Sequence, residues 1–548
     1  TLDAQSKRWL SKTLQKYRRA GVDEDEKTRE RLTTLQREIA ETEQTFQRNI
    51  REDVRTIELR STKKLAGLPQ DYIESHQPDD QGIIRITTDS PDYLPIMSYA
   101  QDTDLRRRLY IEFQSRGYPK NQAVLMQLLR KRHELAKLLG YSSYAEYAIE
   151  PHMIGGRQQA KEFIQQIAEL ARDPSQREYD QVLAYRRKHE PDAKSLEAYE
   201  YGFWSKKFKT DQFDVDPQEV RPYFPFNQVK QGLFDLTSKM FGLRYERVQN
   251  APVWHESVET YDVYSNQGTK RLARMHLDLH PRKDKYQHAC HRPMIRGVMG
   301  KQLSESALVC NFPQPTQDNP ALMELKQVIT FFHEFGHLVH EILSAKQEWV
   351  DFSGSESCQW DFIEAPSQML EEWVMQPEVL QQFARHHQTQ EPISLDLIER
   401  LRRAEDFGNG MWARVQGCYA AMSFEYYDRD PTHSSFDLDK IEQEIWQQHH
   451  IFDFVPGSRF YANFGHLCRY SAAYYTYLWS KVIAQDLFSE FQRQGALNQD
   501  VCQQYRETIL EPGASKDGTD MVQDFLGRPF SMQPFHKKLQ GNSDIDNQ

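Results

Sequence analysis

The chain has 548 residues, with 69 Lys and Arg against 80 Asp and Glu, a formal charge of −11. Such a surface repels phosphate backbones and excludes nucleic acid as an expected partner, while 39% hydrophobic and 12% aromatic residues exclude a disordered chain. No apolar run exceeds five residues, at 418–422, against the roughly 20 that a membrane helix needs, so no membrane partner is expected. Six cysteines (Cys290, Cys310, Cys358, Cys418, Cys468 and Cys502) form no CxxC pair. With no secretory apolar segment at the start and no N-x-S/T sequon, they read as free thiols in a reducing compartment. A cytoplasmic location is expected; because the first residue is Thr rather than Met, a processed start and a mitochondrial location stay open.

Leu32, Leu35, Ile39, Thr42, Phe46, Ile50, Val54 and Ile57 recur every three to four positions, which predicts one long amphipathic helix within 1–60, packed inside a helical lobe. A short strand is expected at 83–87. Helices follow, including 105–113, 123–139 and 160–170, separated by turn signals at Gly117-Tyr118-Pro119, Gly140, Gly155-Gly156 and Glu190-Pro191. Between 253 and 312 the pattern changes. Segments 260–264 and 272–279 alternate on either side of Ser265-Asn266-Gln267-Gly268, a hairpin signature, and 306–312 reads as a further strand. After Pro320 helices resume, down to a polar tail at 541–548 that is expected to be disordered. The expected architecture is mostly α with a small β-sheet. A mainly helical lobe spans 1–250, and a second region at 251–540 carries the chemistry.

At 333–337 the sequence reads His333-Glu334-Phe335-Gly336-His337. Histidines at i and i+4 project from one face of a helix, close enough for both imidazoles to bind a single Zn²⁺. Glu334 points beside the metal rather than into its shell and can hold a water as general base. A chain of this composition shows the pentapeptide by accident with a frequency of about 0.05, so context matters. Val328, Ile329, Phe331 and Phe332 line the opposite face, as an internal metal helix requires.

Catalytic zinc needs a third protein ligand. Position 343 is Leu, so the metzincin spacing fails, and His340, two turns past His333, drifts off the metal face and reads as packing. The carboxylates between 341 and 372 are Glu341, Glu348, Asp351, Glu356, Asp361, Glu364, Glu371 and Glu372. Segment 361–373 is helical by spacing, with Phe362, Met369, Leu370 and Trp373 as its apolar stripe. Glu364 falls among these buried positions, where a metal partner would offset the cost of an unpaired carboxylate. Gln368 and Glu371 share its face and are candidates to orient the histidines.

The pentapeptide followed by Phe352-Ser353-Gly354 and by the segment 361–370 resembles the thimet oligopeptidase and neurolysin family of zinc metallopeptidases, which also includes oligopeptidase A, dipeptidyl carboxypeptidase and mitochondrial intermediate peptidase. The likeness extends to 254–258, 276–286, 464–467 and 474–480 and so covers most of the chain. The resemblance implies one Zn²⁺ per chain, held by His333, His337 and Glu364, with Glu334 as the base. It implies two mostly helical lobes around a deep channel that admits short unstructured peptides.

It also implies a cluster of His466, Tyr470, Tyr474 and Tyr477 opposite the metal. On a continuous helix these positions make one stripe, whose donors could hydrogen-bond a developing oxyanion, with Tyr474 also a substrate contact. Two departures stand out. Cys468-Arg469 replace the family's usual Gly-Gly in a loop one residue shorter, and the chain starts after the family's first helices. The strand at 306–310 is a candidate to pair with an extended peptide through Ala307 and Val309; the alternative is a strand already paired on both sides. The expected activity is a monomeric metalloendopeptidase of oligopeptidase type. A dipeptidyl carboxypeptidase of the same family and a catalytically dead peptide-binding protein are the alternatives.

Overall fold

In the computed structural model, which describes residues 2–266, 268–283, 285–286 and 288–541, the single helix expected within 1–60 is two helices, Ala4–Arg19 and Glu26–Glu52, followed by a strand. Gly21 adopts φ +76°, a left-handed turn that glycine enters at little steric cost. Asp25 then caps a helix at Glu26–Glu52 by accepting the Thr28 N–H at 2.9 Å. Leu32, Leu35, Ile39, Thr42 and Phe46 are buried along that helix. Val54 is exposed, and Ile57 belongs to strand β1 (Thr56–Leu59). In β1 the burial period changes to two, as Ile57 and Leu59 join Ile84 and Ile86 in one apolar cluster. The partner is β2 (Ile84–Thr87), antiparallel to β1 and matching the strand read at 83–87. The helices expected at 105–113, 123–139 and 160–170 are Thr103–Gln114, Lys120–Leu138 and Arg157–Leu170.

The described chain is mostly helical, 58% helix and 9% strand. It divides into two units, each assembled from separated stretches. A helical unit comprises Gln15–Gln212, Phe407–Tyr475 and Leu539–Gln548, and a sheet unit comprises Thr1–Leu14, Phe213–Asp406 and Thr476–Lys538. Position 250, where the sequence pattern changes, lies inside the sheet unit, after the helix Phe226–Phe241. Of the tail read at 541–548, all but Gly541 lies outside the described residues. No helix among the described residues is long and apolar enough to cross a membrane.

In the sheet unit, β3 (Leu243–Arg247), β4 (Glu259–Ser265), β5 (Arg271–Asp278), β6 (Cys290–Ile295) and β7 (Ser304–Val309) form one sheet in the order β3-β4-β5-β7-β6. The expected hairpin is β4 and β5, antiparallel; Gln267 of its turn lies outside the described residues. β7 runs parallel to β5 and antiparallel to β6. Ala307 is paired with His276 on one side and Arg292 on the other, and Val309 with Asp278 and Cys290. This corrects the expectation that 306–310 pairs with a peptide, because both edges of that strand are already used. Among the described residues the sheet ends in two outer strands, β3 and β6, and β6 is the one beside β7. The sequence hides it because Pro293 interrupts the run, and proline, lacking an N–H, is tolerated in a strand chiefly at an edge.

Two helices position the functional residues. Helix α1 (Leu325–Ser344) starts with a capping box between Glu324 and Gln327 and buries Val328, Phe331, Phe332, Phe335 and Leu338. Helix α2 (Glu364–Glu371) crosses it at Gly336, where a Cβ would lie 2.7 Å from Ser367 Cα and 3.3 Å from the Pro366 oxygen. Only a residue without a side chain allows that approach. Two further helices follow later in the chain, α3 (Thr476–Gln494) and α4 (Gln533–Gln540). In the helical unit, Glu442 on Leu438–His449 accepts the Phe460 N–H at 2.8 Å. Its second oxygen is buried without a partner among the described residues, and burial pushes the carboxyl up to about 8.

Gly336→Ala is expected to cost about 1–3 kcal/mol, since backbone rather than a flexible side chain must yield; an unchanged melting temperature would contradict the crossing. Glu442 supplies a pH-dependent counterpart. Its raised native pKa means that the folded state binds the extra proton between the ordinary carboxylate range and about 8. Its contribution to stability is therefore retained at low pH and lost as pH rises through that window. Glu442→Gln removes the effect, so its melting temperature should gain on the parent between pH 5 and 8.5, as thermal scans at both pH values would register.

Candidate metal centre

The i, i+4 spacing on α1 brings the His333 and His337 rings to a centroid separation of 5.0 Å. The first residue of α2, Glu364, turns its Oε2 to 3.3 Å from His333 Nε2 and 3.2 Å from His337 Nε2. One donor atom from each residue lies within 4.8 Å of the others, and among the described residues this is the group able to hold a metal ion. The structure thus brings together the three side chains expected as ligands. Two imidazoles and one carboxylate suit Zn²⁺, and three protein donors is the ligand count of a catalytic rather than a structural zinc site.

Electrostatics reinforce the grouping. Burial alone would press His333 down, but Glu364 and Glu371 on its two ring nitrogens hold it well above the usual histidine range. Burial likewise opposes ionisation of Glu364, and hydrogen bonds to His333 and His337 outweigh it, keeping the carboxyl well below its usual range. Glu371 Oε1 meets His333 Nδ1 at 2.7 Å, which fixes the ring with Nε2 towards Glu364. Gln368, the other residue read as an orienting group, makes a different contact: its amide donates to the Tyr477 carbonyl at 3.5 Å.

Glu334 is 8% exposed. Burial pushes its carboxyl up, with His333 and His337 partly offsetting that rise. His340 is fully buried apart from the trio, its Nε2 3.9 Å from Cys358 Sγ, and burial lowers it to about 3. One neighbour escaped the sequence reading. His291 on β6 lies stacked 6.4 Å from His337, buried, with its Nε2 unpartnered among the described residues. Only its inward position on a strand could have pointed to it, and Pro293 masks that strand.

The expected His and Tyr stripe is not one helix. A short helix, His466–Arg469, ends at Tyr470, Ser471 sits at φ +51°, and regular helix resumes with α3 at Thr476. His466, Tyr470 and Tyr474 therefore belong to the helical unit and Tyr477 to the sheet unit. The first three still cluster, with His466 at 5.4 Å from the Tyr470 ring and 5.0 Å from that of Tyr474. The Tyr474 hydroxyl donates to Gln416 at 2.8 Å. Buried Arg132, which no motif announced, braces this segment by donating to the carbonyls of Leu467 at 2.8 Å and Cys468 at 2.5 Å while pairing with Glu43 at 2.5 Å. Cys468 is buried against the Glu43 carbonyl, with Sγ 3.9 Å away.

Comparison with known proteins adds to the geometry. Residues 96–541 match the model of peptidase family M3. Oligopeptidase A of Escherichia coli is 28% identical over 555 residues, covering 96% of this chain and 80% of that protein. Saccharolysin of Saccharomyces cerevisiae is 28% identical over 571 residues, covering 98% of this chain and 78% of its own length. The solved structure of PZ peptidase A with inhibitor is similar with a TM-score of 0.54 at 13% identity, covering 94% of this chain and 76% of that one, a likeness of fold.

Proposed function

The chain belongs to peptidase family M3, and on that premise we propose that it is a zinc-dependent endopeptidase that hydrolyses short unstructured peptides. The observation that carries this reading is the convergence of His333, His337 and Glu364 donor atoms within 4.8 Å, with the buried carboxyl of Glu334 one residue past the first of them. The oligopeptidase names of the relatives support short substrates.

His333, His337 and Glu364 would hold one Zn²⁺. When bound, such an ion polarises the scissile carbonyl and makes a water acidic enough to lose its proton near neutral pH. Glu334 is the base that takes this proton and returns it to the leaving amine nitrogen. Burial suits it to both duties, because a carboxyl raised from its ordinary range binds a proton readily and releases it again. Glu371 keeps the His333 ring from turning, so that Nε2 stays on the side of Glu364. The open edge of β6 offers N–H and C=O groups to an extended peptide irrespective of its sequence. Tyr470, Tyr477 and His466 are the donors we assign to the oxyanion on the strength of the family resemblance, with Tyr474, already engaged with Gln416, as a substrate contact.

Peptide cleavage should disappear with a strong chelator and return with Zn²⁺. Glu334→Gln should keep its zinc yet lose about three orders of magnitude in kcat; wild-type turnover by that variant would refute the base. A short peptide blocked at both termini should be cut internally, whereas a strict need for a free C-terminal carboxylate would instead identify a dipeptidyl carboxypeptidase.

A further inference from the structure

On the side of His333 opposite Glu364, charges alternate across three helices of the sheet unit. Glu371 uses Oε1 for His333 Nδ1 at 2.7 Å and Oε2 for Lys481 Nζ at 3.2 Å. Lys481, on α3, also reaches Glu372 Oε1 at 3.0 Å. Glu372 in turn accepts from Lys538 on α4, at 2.9 and 2.7 Å on its two oxygens, and from the Gln485 amide at 2.6 Å. Lys481 and Gln485 are i and i+4 on α3, so a single helix face supplies both donors.

The order of charges carries the argument. Glu371 and Glu372 are neighbours in sequence, and two ionised carboxylates so close repel one another unless cations stand between them. Lys481 stands between them, touching one oxygen of each. Glu371 has a different partner on each oxygen, so it cannot rotate towards one without losing the other. Exposed ion pairs are worth little, but the side chains of Lys481 and Glu372 are only 17% and 12% exposed, which limits screening by solvent.

We propose that Lys481 and, through Glu372, Lys538 are positioning residues for the metal centre: they hold Glu371 where it fixes the His333 ring, and so tie α4 to the affinity for the ion. This rests on the zinc reading above. The ordering cost of the His333 ring is met in advance by the packed helices, and the binding site is ready-made rather than assembled around the ion.

The test is Zn²⁺ affinity of the full chain, measured by competition with a chromophoric chelator, with thermal melting of the same samples. Lys481→Met should weaken Zn²⁺ binding about 10- to 100-fold. Lys538→Met should weaken it by a smaller factor, while Lys481→Arg restores most of it. Lys537→Met, at the exposed position next to Lys538, should bind as the parent does. Parental affinity in a folded Lys481→Met protein overturns the proposal. If that variant does not fold, Lys538→Met decides in its place, parental affinity again overturning it. A parent chain that binds no Zn²⁺ would refute the metallopeptidase reading and this proposal together. Zn²⁺ bound equally by the parent and both Met variants would refute the positioning role alone.

Discussion

The crossing of α1 and α2 at Gly336 is the contact on which the site depends. Helices ordinarily keep their axes about 8–10 Å apart because side chains fill the gap. Here the backbone of Ser367 and the Pro366 carbonyl occupy the space where a Cβ would be. The approach puts the first carboxylate of α2 against two imidazoles one turn apart on α1. Burial separately raises the carboxyl of Glu334, which neighbours the His291 backbone of β6. A single missing methyl group thus governs the ligand geometry.

Much of this could be read from the residues. The histidine spacing, the apolar far face of α1 and a carboxylate stranded among buried positions at 364 pointed to the candidate group, the family resemblance named its three members, and Thr260 to Asp278 alternated plainly enough to give the hairpin. What escaped has physical causes. Periodicity reports which side of a segment is apolar, not where the backbone breaks, so Asp53 ended the helix inside a stripe that looked continuous. Ser471 did the same to the tyrosine row. Strand order is a long-range property: alternation at 306–310 is the same whether a strand lies inside a sheet or at its rim, and only pairing with β5 and β6 decides it.

Charged groups taken out of water are treated in two contrasting ways. Beside His333, Glu371 and Glu372 each meet a cation or an imidazole, and Glu372, with two lysines and an amide, stays well below its usual range at about 2. Glu442 has no such company and is held at about 8 by burial. The comparison separates neutralisation by partners from neutralisation by a proton, and the fold uses the first where geometry must be fixed.

The interleaved make-up of the two units has a consequence for biosynthesis. The sheet unit needs residues from near the start, such as Arg8, paired with Asp517 at 2.8 Å, and Trp9, stacked on Trp349 at 4.2 Å. Histidines 333 and 337 leave the ribosome long before α3 and α4 exist to brace them. The sheet unit cannot mature until Thr476–Lys538 has been made, so the nascent chain must carry its longest-range contacts unmade until late, a topology that favours slow folding and gives attendant chaperones an extended period of work.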